Sequence, residues 1–405
     1  MSTSDPHANP DSGERLHALD ALRAFAMLLG IVLHAGMAYA SVPLGPWPKD
    51  AQRSLVFDVL LVAIHGFRMP LFFLIAGFFA RLLYHRLGPT GFVPHRAQRI
   101  LVPFVAGLVV LVPIVSATLV FAQTHSWGAV KDLVQPRLFM RGHTVHLWFL
   151  YYLLMLYALA LVIVPLARRA IPEPALKRLD RTFERLVRSP WKSFALAIPT
   201  AALLWFGELW VDIGLPLDLV PMPHVLVYYG LFFGFGWWLH REAHLLEALR
   251  DRARAPLIAA GPVFLVVLAA GSFQAQVGHP YYHWLKLGCV IAFSLYTWLA
   301  VFGLLGLFLR YLNRRQPAIR YLADSSYWLY LTHLPLVLWL QIWLTGFAWP
   351  IWLKFLLVNG LTMGVLLLSY HVFVRYTFVG ATLNGPRERP ARQQAVEQAA
   401  AAAES

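Results

Sequence analysis

The chain has 405 residues, of which 59% are hydrophobic and 14% aromatic, while only 13% carry a charge. Soluble domains average roughly 25% charged residues, so this composition is typical of an integral membrane protein. The net charge of +14 does not indicate a nucleic-acid partner, because the basic residues lie in short loops between apolar stretches. The single cysteine, Cys289, excludes an internal disulfide and a thiol metal cluster.

Ten apolar stretches are long enough to form membrane-spanning helices, since a helix needs about 20 residues to cross the hydrocarbon core. They cover residues 19–40, 55–83, 98–121, 145–167, 191–211, 223–240, 256–275, 283–309, 321–344 and 350–373. The pattern predicts an all-α polytopic bundle of about ten transmembrane helices within residues 19–375. Residues 1–18 and 376–405 are predicted to be disordered, and 1–18 lacks the features of a cleaved signal.

The distribution of Lys and Arg predicts on which side of the membrane the termini lie. The two terminal segments and every second loop together hold 25 of the 34 basic residues, whereas the remaining loops hold 5. Cytoplasmic loops are the basic ones, so both termini are predicted to be cytoplasmic. The largest basic loop, 168–192, is expected to form an amphipathic helix on the inner leaflet.

The first span, RAFAMLLGIVLH, carries an arginine and a histidine. Arg23 and His34 are eleven positions apart, which places them on one helix face about 16 Å apart along the axis. Ionisable groups inside a span are costly, face the bundle interior and mark candidate functional sites. Arg23 also fits a snorkelling anchor paired with Asp20, and His34 also fits a structural histidine bonded to a hydroxyl or carbonyl.

Three further spans place polar side chains in the outer half of the membrane. The second span, HGFRMPLFF, carries His65 and Arg68, and the fourth, HLWFLYYL, opens with His146 and Trp148. The ninth, SSYWLYLTHLPLV, brings His333 to about mid-depth or beyond. These five residues are candidates for substrate binding. An aromatic belt at the interface is the alternative for the pair in the fourth span.

His283 and Lys286, at the start of the eighth span, fit interfacial snorkelling.

The sequence lacks several known catalytic and metal-binding motifs, and their absence limits which reactions the protein is expected to catalyse. There is no G-x-S-x-G elbow, P-loop or H-E-x-x-H motif, and no carboxylate pair within one span that suggests a metal site. Any catalysis is therefore expected to come from histidine, which suits general-base activation of a hydroxyl.

Two arginines mark the cytoplasmic start of the third span. Arg96 and Arg99, in FVPHRAQRILVPF, are three residues apart and therefore share a helix face. The planar guanidinium bonds two phosphate oxygens at once, so the pair is a candidate phosphate site. The alternative is that both residues serve only membrane topology.

Together these motifs resemble acyltransferase family 3, and most closely its branch that succinylates osmoregulated periplasmic glucans. The resemblance covers residues 15–375 approximately. The positions that match family signatures are Arg23 with His34, Arg96 with Arg99, His65 with Arg68 and Met69, and His146 and His333. Some members carry a fused esterase-like domain. This chain shows none, so transfer is expected to be completed within the bundle.

The resemblance implies a multi-pass enzyme of the bacterial inner membrane that moves a short acyl group, succinyl or acetyl, from cytoplasmic acyl-CoA to a carbohydrate hydroxyl outside. Acyl-CoA is then a donor substrate, and no permanently bound cofactor is expected. His34, with Arg23 and Asp20, is assigned to catalysis, as general base or as a transiently acylated residue. Arg96 and Arg99 are assigned to the donor, and His65, Arg68, His146, Trp148 and His333 to the acceptor or the oxyanion.

Two other classes of function fit the same residues. In a transporter or flippase, buried His and Arg side chains line a substrate path, but the chain shows no repeat between its halves. In an assembly factor of the envelope, the same polar residues only fix helix packing. The acceptor also stays open, with a periplasmic glucan, a lipopolysaccharide sugar, an exopolysaccharide or a small glycoside as candidates.

Overall fold

A computed structural model describes residues 12–133, 143–207, 209–214, 216–314, 316–385 and 387. Every regular element in these ranges is a helix, which confirms the predicted all-α bundle. The α-helices are α1 Ser12–Gly36, α2 Leu55–Arg96, α3 Val102–Thr124, α4 Trp127–Leu133, α5 Trp148–Ala170, α6 Glu173–Arg188, α7 Lys192–Trp205, α8 Pro223–Arg241, α9 Leu245–Asp251, α10 Arg254–Gly271, α11 Tyr282–Tyr311, α12 Pro317–Thr345, α13 Ile351–Ser369 and α14 Phe378–Asn384. Two π-helical turns, Ala97–Leu101 and Tyr370–Val374, precede α3 and follow α13.

Seven helical segments of the described chain are long and apolar enough to cross a membrane. The longest, Leu55–Thr124, contains both the second and the third predicted span. The count of ten crossings and the cytoplasmic side of the termini stay predictions. Residues 1–11 and 388–405, within the segments predicted to be disordered, lie outside the described residues; α1 begins at Ser12, and α14 lies within the predicted tail.

The connection between the second and third spans is helical, although a loop was expected at 81–99. Gly88 alone departs from helical geometry, with φ 67° and ψ 175°. Glycine adopts this conformation without strain, and Pro89 is well placed to begin the next helical stretch because it has no N–H to leave unpaired. The chain therefore bends at Gly88 and continues as a helix into the π-helical turn.

The fifth predicted span, 191–211, is shorter in the structure. Helix α7 ends at Trp205 and has 14 residues, fewer than the about 20 that a full crossing needs. The chain then folds into an irregular segment, in which Lys286 donates to the carbonyl of Gly207 (3.1 Å) and Gln274 accepts from the amide of Trp210 (2.9 Å). Backbone groups in this segment thus find partners outside a helix.

The basic loop 168–192 contains a helix, as predicted. Helix α6 is attached to α8 by a bidentate ion pair, in which Arg241 donates to both carboxylate oxygens of Asp180 (2.7 and 2.8 Å). The indole of Trp238 donates to the same carboxylate at 3.1 Å. These bonds hold the amphipathic helix against the C-terminal end of α8.

Helices α2 and α8 make a close crossing at the centre of the bundle. A methyl group on Gly77 would overlap the carbonyl oxygen of Phe233, and one on Gly236 would overlap that of Leu74. Such small residues let membrane helices approach to backbone contact. Helix α1 packs mainly against α12, and this pairing brings the first and ninth predicted spans together.

Candidate active site

His34 and His333 form a direct hydrogen bond near the C-terminal end of α1. Nδ1 of His34 lies 2.8 Å from Nε2 of His333, and the His333 side chain is 1% exposed. Nδ1 of His333 lies 2.7 Å from the carbonyl oxygen of Tyr330 and 3.2 Å from that of Leu329. Carbonyls only accept, so this nitrogen carries a proton, and in the neutral ring Nε2 is an acceptor.

This arrangement determines the tautomer of neutral His34. Its Nδ1–H donates to His333, which leaves the lone pair of Nε2 unused. A histidine that is fixed in this way by a second group is arranged as a general base. The second group is here another imidazole rather than a carboxylate.

Trp47 and Gln341 complete the surroundings of His34. The indole ring lies 5.5 Å from the imidazole, centroid to centroid, with 21° between the planes. Gln341 accepts from the indole N–H (3.0 Å) and donates to the carbonyl oxygens of His34 and Ala35 (3.0 Å each). No sequence pattern marks either residue as part of a site.

Arg68 is a buried cation beside the C-terminal half of α1. It is 8% exposed, and in the described part of the chain its Nε has no hydrogen-bond partner and its guanidinium no carboxylate at ion-pairing distance. A methyl group on Gly30 would lie 2.6 Å from Nη1 of Arg68. Gly30 is one turn before His34, so the guanidinium lies next to the histidine pair.

His146 lies on the other side of His333. The two rings are 5.5 Å apart at 82°. Nε2 of His146 lies 3.0 Å from the carbonyl oxygen of Leu331 and therefore donates. Its Nδ1 is buried and has no hydrogen-bond partner among the described residues. Tyr330 supports this segment by donating to the carbonyl oxygen of His146 at 2.8 Å.

Trp148 lies deeper in the core than the predicted interface position. It is 6% exposed, and its ring packs against Tyr229 at 5.5 Å and Tyr152 at 6.2 Å. His283 is exposed and packs against Tyr282. These contacts tie Trp148 to the aromatic core and leave His283 at the surface.

His65 forms a pair with Asp212, from the irregular segment after α7. Nε2 of His65 lies 3.0 Å from the Asp212 carboxylate, and both side chains are largely buried. Burial raises the pKa of Asp212, but the charge and hydrogen bond of His65, with the amides of Gly214 and Ile213, outweigh it and hold the pKa below its ordinary value. Asp212 is not among the predicted site residues, because the apolar pattern predicts one helix over 191–211 and places Asp212 in the loop that follows it.

Arg23 and Asp20 lie at the opposite end of α1 and pair with each other at 3.0 Å, 37% and 42% exposed. Arg96 stacks on Tyr157 (5.0 Å) and Phe92 (5.5 Å). Its Nε has no hydrogen-bond partner in the described chain.

Arg99 lies in the π-helical turn, near enough to Arg96 and Arg23 to interact with their charges. Its guanidinium also lies next to Gly385, after α14. Three arginines therefore lie together near the N-terminal end of α1.

The predicted residues thus form two groups. His333, Arg68, His146 and His65 are all close enough to act electrostatically on His34. The second group contains Asp20, Arg23, Arg96 and Arg99. Of these, Arg23 lies about 16 Å from His34 along the axis of α1. The first group lies near the C-terminal end of α1 and the second near its N-terminal end.

The family described as acyltransferase domain, acyltransferase family 3, matches residues 16–373. The chain belongs to acyltransferase family 3. Glucans biosynthesis protein C of Escherichia coli K12 is 24% identical over 391 residues, which cover 93% of this chain and 96% of that protein. The protein of the same name from E. coli O81 shows the same identity and coverage. No solved structure is significantly similar to the chain.

Membership of acyltransferase family 3 makes the protein an acyltransferase that uses an acyl donor. Its apolar helices make it a multi-pass membrane protein. Resemblance through short motifs and similarity over most of the chain therefore agree on the family. The identity of donor and acceptor is a separate question, to which the geometry of the two groups contributes.

Proposed function

We propose that the protein moves a short acyl group from cytoplasmic acyl-CoA to a hydroxyl of a carbohydrate on the outer side of the bacterial inner membrane. The single observation that carries this proposal is the His34–His333 hydrogen bond, which leaves Nε2 of His34 as a base inside the bundle. The relatives named glucans biosynthesis protein C support a glucan as acceptor.

In the proposed reaction, Nε2 of His34 takes the proton from the acceptor hydroxyl as its oxygen attacks the thioester carbonyl. The tetrahedral intermediate carries an oxyanion, and its collapse breaks the carbon–sulfur bond. His34 then returns the proton to the departing thiolate, so that free CoA and the acyl ester leave. Such proton transfer by a positioned histidine contributes about 10²- to 10⁴-fold to a rate.

Arg68 is proposed to stabilise the negative charge that develops beside His34 during the reaction. An unpaired guanidinium in a buried site favours an anion strongly, because its own charge lacks compensation. It is therefore placed to stabilise the oxyanion. A carboxylate at the end of the acyl group would satisfy the same guanidinium, which favours succinyl over acetyl.

The three arginines at the inner end are assigned to the donor. Arg96 and Arg99 suit the phosphates of CoA, because guanidinium groups bind phosphate oxygens in pairs. Arg23 lies with them and not with His34, so its role is proposed to be donor binding. Asp20 is proposed to orient Arg23 through their ion pair.

The acceptor is proposed to enter from the outer side, where His65, Asp212 and His146 offer polar groups. The carboxylate of Asp212 accepts hydrogen bonds, and Nδ1 of His146 is a free acceptor. These groups suit sugar hydroxyls. Trp148 is proposed to support His146 through the aromatic core.

The test is transfer by the purified full-length protein in liposomes, with a panel of acyl-CoA thioesters inside and an oligosaccharide acceptor outside. His34→Ala should abolish transfer while thioester binding, measured by thermal shift, persists. Arg96→Ala and Arg99→Ala should raise KM for the thioester and leave KM for the acceptor unchanged.

Active His34→Ala protein would refute the assignment of the base. An acyl group trapped covalently on His34 would replace general-base catalysis by a covalent route. If no thioester binds, the acyl donor is not acyl-CoA and the donor part of the proposal is refuted.

A further inference from the structure

The segment between α1 and α2, residues 40–54, is anchored on the outer side of the bundle. Asp50 and Lys354 form an ion pair at 2.6 Å, with both side chains 2% exposed. The amide of Asp50 donates to the carbonyl oxygen of Ala38, and that of Ser54 to Tyr39, each at 3.0 Å. These bonds fix both the middle and the end of the segment, and Trp47 lies between them and its start.

The orientation of Trp47 is determined by the same side chain that holds the backbone at His34. Gln341 accepts from the indole N–H and donates to the carbonyl oxygens of His34 and Ala35. The indole also packs among apolar side chains of three neighbouring clusters. Indole and imidazole are therefore kept nearly parallel, 5.5 Å apart between centroids.

Among the described residues, the groups that act on the charge of His34 do not include an unpaired carboxylate, because Asp212 on this side of the site is paired with His65 at 3.0 Å. The groups with the largest effect on His34 are His333 from α12, Arg68 and His65 from α2, and His146 from the turn before α5. All of these are neutral or positive. The neighbouring loop contributes Trp47, whose π face carries negative potential and attracts a cation within about 6 Å of the ring centroid.

We propose that Trp47 is a positioning residue that stabilises the imidazolium form of His34 during acyl transfer. The proposal rests on the proposed function, in which His34 becomes positive when it takes the hydroxyl proton. In the resting enzyme His34 is neutral, and the indole attraction is weak. The stabilisation therefore appears as charge develops, and such differential binding raises kcat rather than lowering KM.

The experiment compares Trp47→Leu and Trp47→Phe in the full-length protein, with kcat, both KM values and the pH dependence of kcat as readouts. Loss of a cation–π contact predicts a kcat for Trp47→Leu that is about 2- to 30-fold lower, with both KM values unchanged. The acidic midpoint of the kcat profile should move to lower pH, since His34 is then protonated less readily. Trp47→Phe retains an aromatic face and should lie between the native protein and Trp47→Leu on both measures.

Trp352→Leu is the matched control. Trp352 stacks on Phe57 at 4.9 Å in the same outer region, so its loss should leave the acidic midpoint unchanged. A merely structural role of Trp47 predicts a lower kcat with an unmoved midpoint, and that result would overturn the proposal. Equal effects of the Leu and Phe variants would do the same.

If Trp47→Leu fails to fold, Trp47→Phe decides: a smaller shift in the same direction supports the proposal, and an unmoved midpoint overturns it. Absence of transfer by the native protein overturns the proposed function together with this inference. An active native protein with an unaffected Trp47→Leu variant overturns only the role of Trp47.

Discussion

Replacing His333 by leucine removes the acceptor that determines the tautomer of His34. The hydrogen bond between the two rings is 2.8 Å long, and His333 is 1% exposed, so water does not replace the lost partner. The Nδ1–H of His34 then loses its bond inside the bundle, or the proton moves to Nε2 and the base is lost. An unsatisfied buried donor costs about 1–3 kcal/mol.

The free energy of this lost hydrogen bond should appear as a lower kcat, because His34 needs the bond whenever it acts as a base. At about 1.36 kcal/mol for each factor of ten, kcat should fall by about 5- to 150-fold. His333→Gln should fall less, since a carboxamide oxygen can accept from Nδ1 while its NH₂ group donates to the helix carbonyls. The assay is single-turnover transfer from a labelled thioester, with saturating acceptor.

Thr332→Val is the control for this prediction. Thr332 precedes His333 and donates to the carbonyl oxygen of Trp328 at 2.9 Å, so its loss perturbs the same helix turn and should leave kcat within about twofold, a change under half a kcal/mol. A His333→Leu variant with native kcat would refute the reasoning. So would a His333→Gln variant slower than His333→Leu at equal thermal stability.

Three further substitutions test other contacts. Gly30→Ala should leave thermal stability unchanged or raised, because alanine favours helix. It should lower kcat by about 10- to 100-fold, because the new methyl group would lie 2.6 Å from Nη1 of Arg68 and displace the guanidinium. Asp50→Asn should lower the free energy of unfolding in detergent by about 3–5 kcal/mol, because it leaves the ammonium of Lys354 buried and unpaired. Gly236→Ala should lower it by about 1–3 kcal/mol or more, since the methyl group overlaps a backbone carbonyl at the helix crossing.

The prediction for each of these three substitutions has a control or an outcome that would contradict it. Gly360→Ala places a methyl group in open space on α13, and Gly30→Ala should be clearly slower than this control. The double variant Asp50→Asn with Lys354→Met removes both charges and should recover part of the lost stability; equal loss would contradict a role of the ion pair. Unchanged unfolding of Gly236→Ala would contradict close contact between α2 and α8.

The sequence alone identifies the buried ionisable side chains of the site. His34, Arg68 and His333 stand out because a polar group in an apolar span has a cost that packing alone does not repay. Their pairing was not readable, since the hydrogen-bonded imidazoles are 299 positions apart in the chain. Counting residues gives the depth of a side chain along its own helix. It does not give the side chain on another helix with which it forms a hydrogen bond.

Trp47, Gln341 and Asp212 show where this reasoning stops. Trp47 and Asp212 lie in irregular segments, where periodicity predicts nothing about direction. Gln341 lies in a span but carries no charge, so the search for ionisable residues in apolar spans does not identify it. The predicted spans matched helices where apolar runs were continuous. The predicted loop at 81–99 is helical apart from Gly88, and the fifth predicted span ends at Trp205, after which side-chain contacts to Gly207 and Trp210 replace helical hydrogen bonds.

Helix α1 also has a consequence for the choice of donor. On the proposed mechanism its inner end receives phosphates beside Arg23, and its outer end holds the reacting carbonyl at His34, about 16 Å further along the axis. The separation of these two sites along α1 therefore sets the length that a donor must have. A donor must carry its acyl group on an arm of that length, so acyl phosphates and other compact activated acids would be rejected by reach alone, even if their anionic groups bound well.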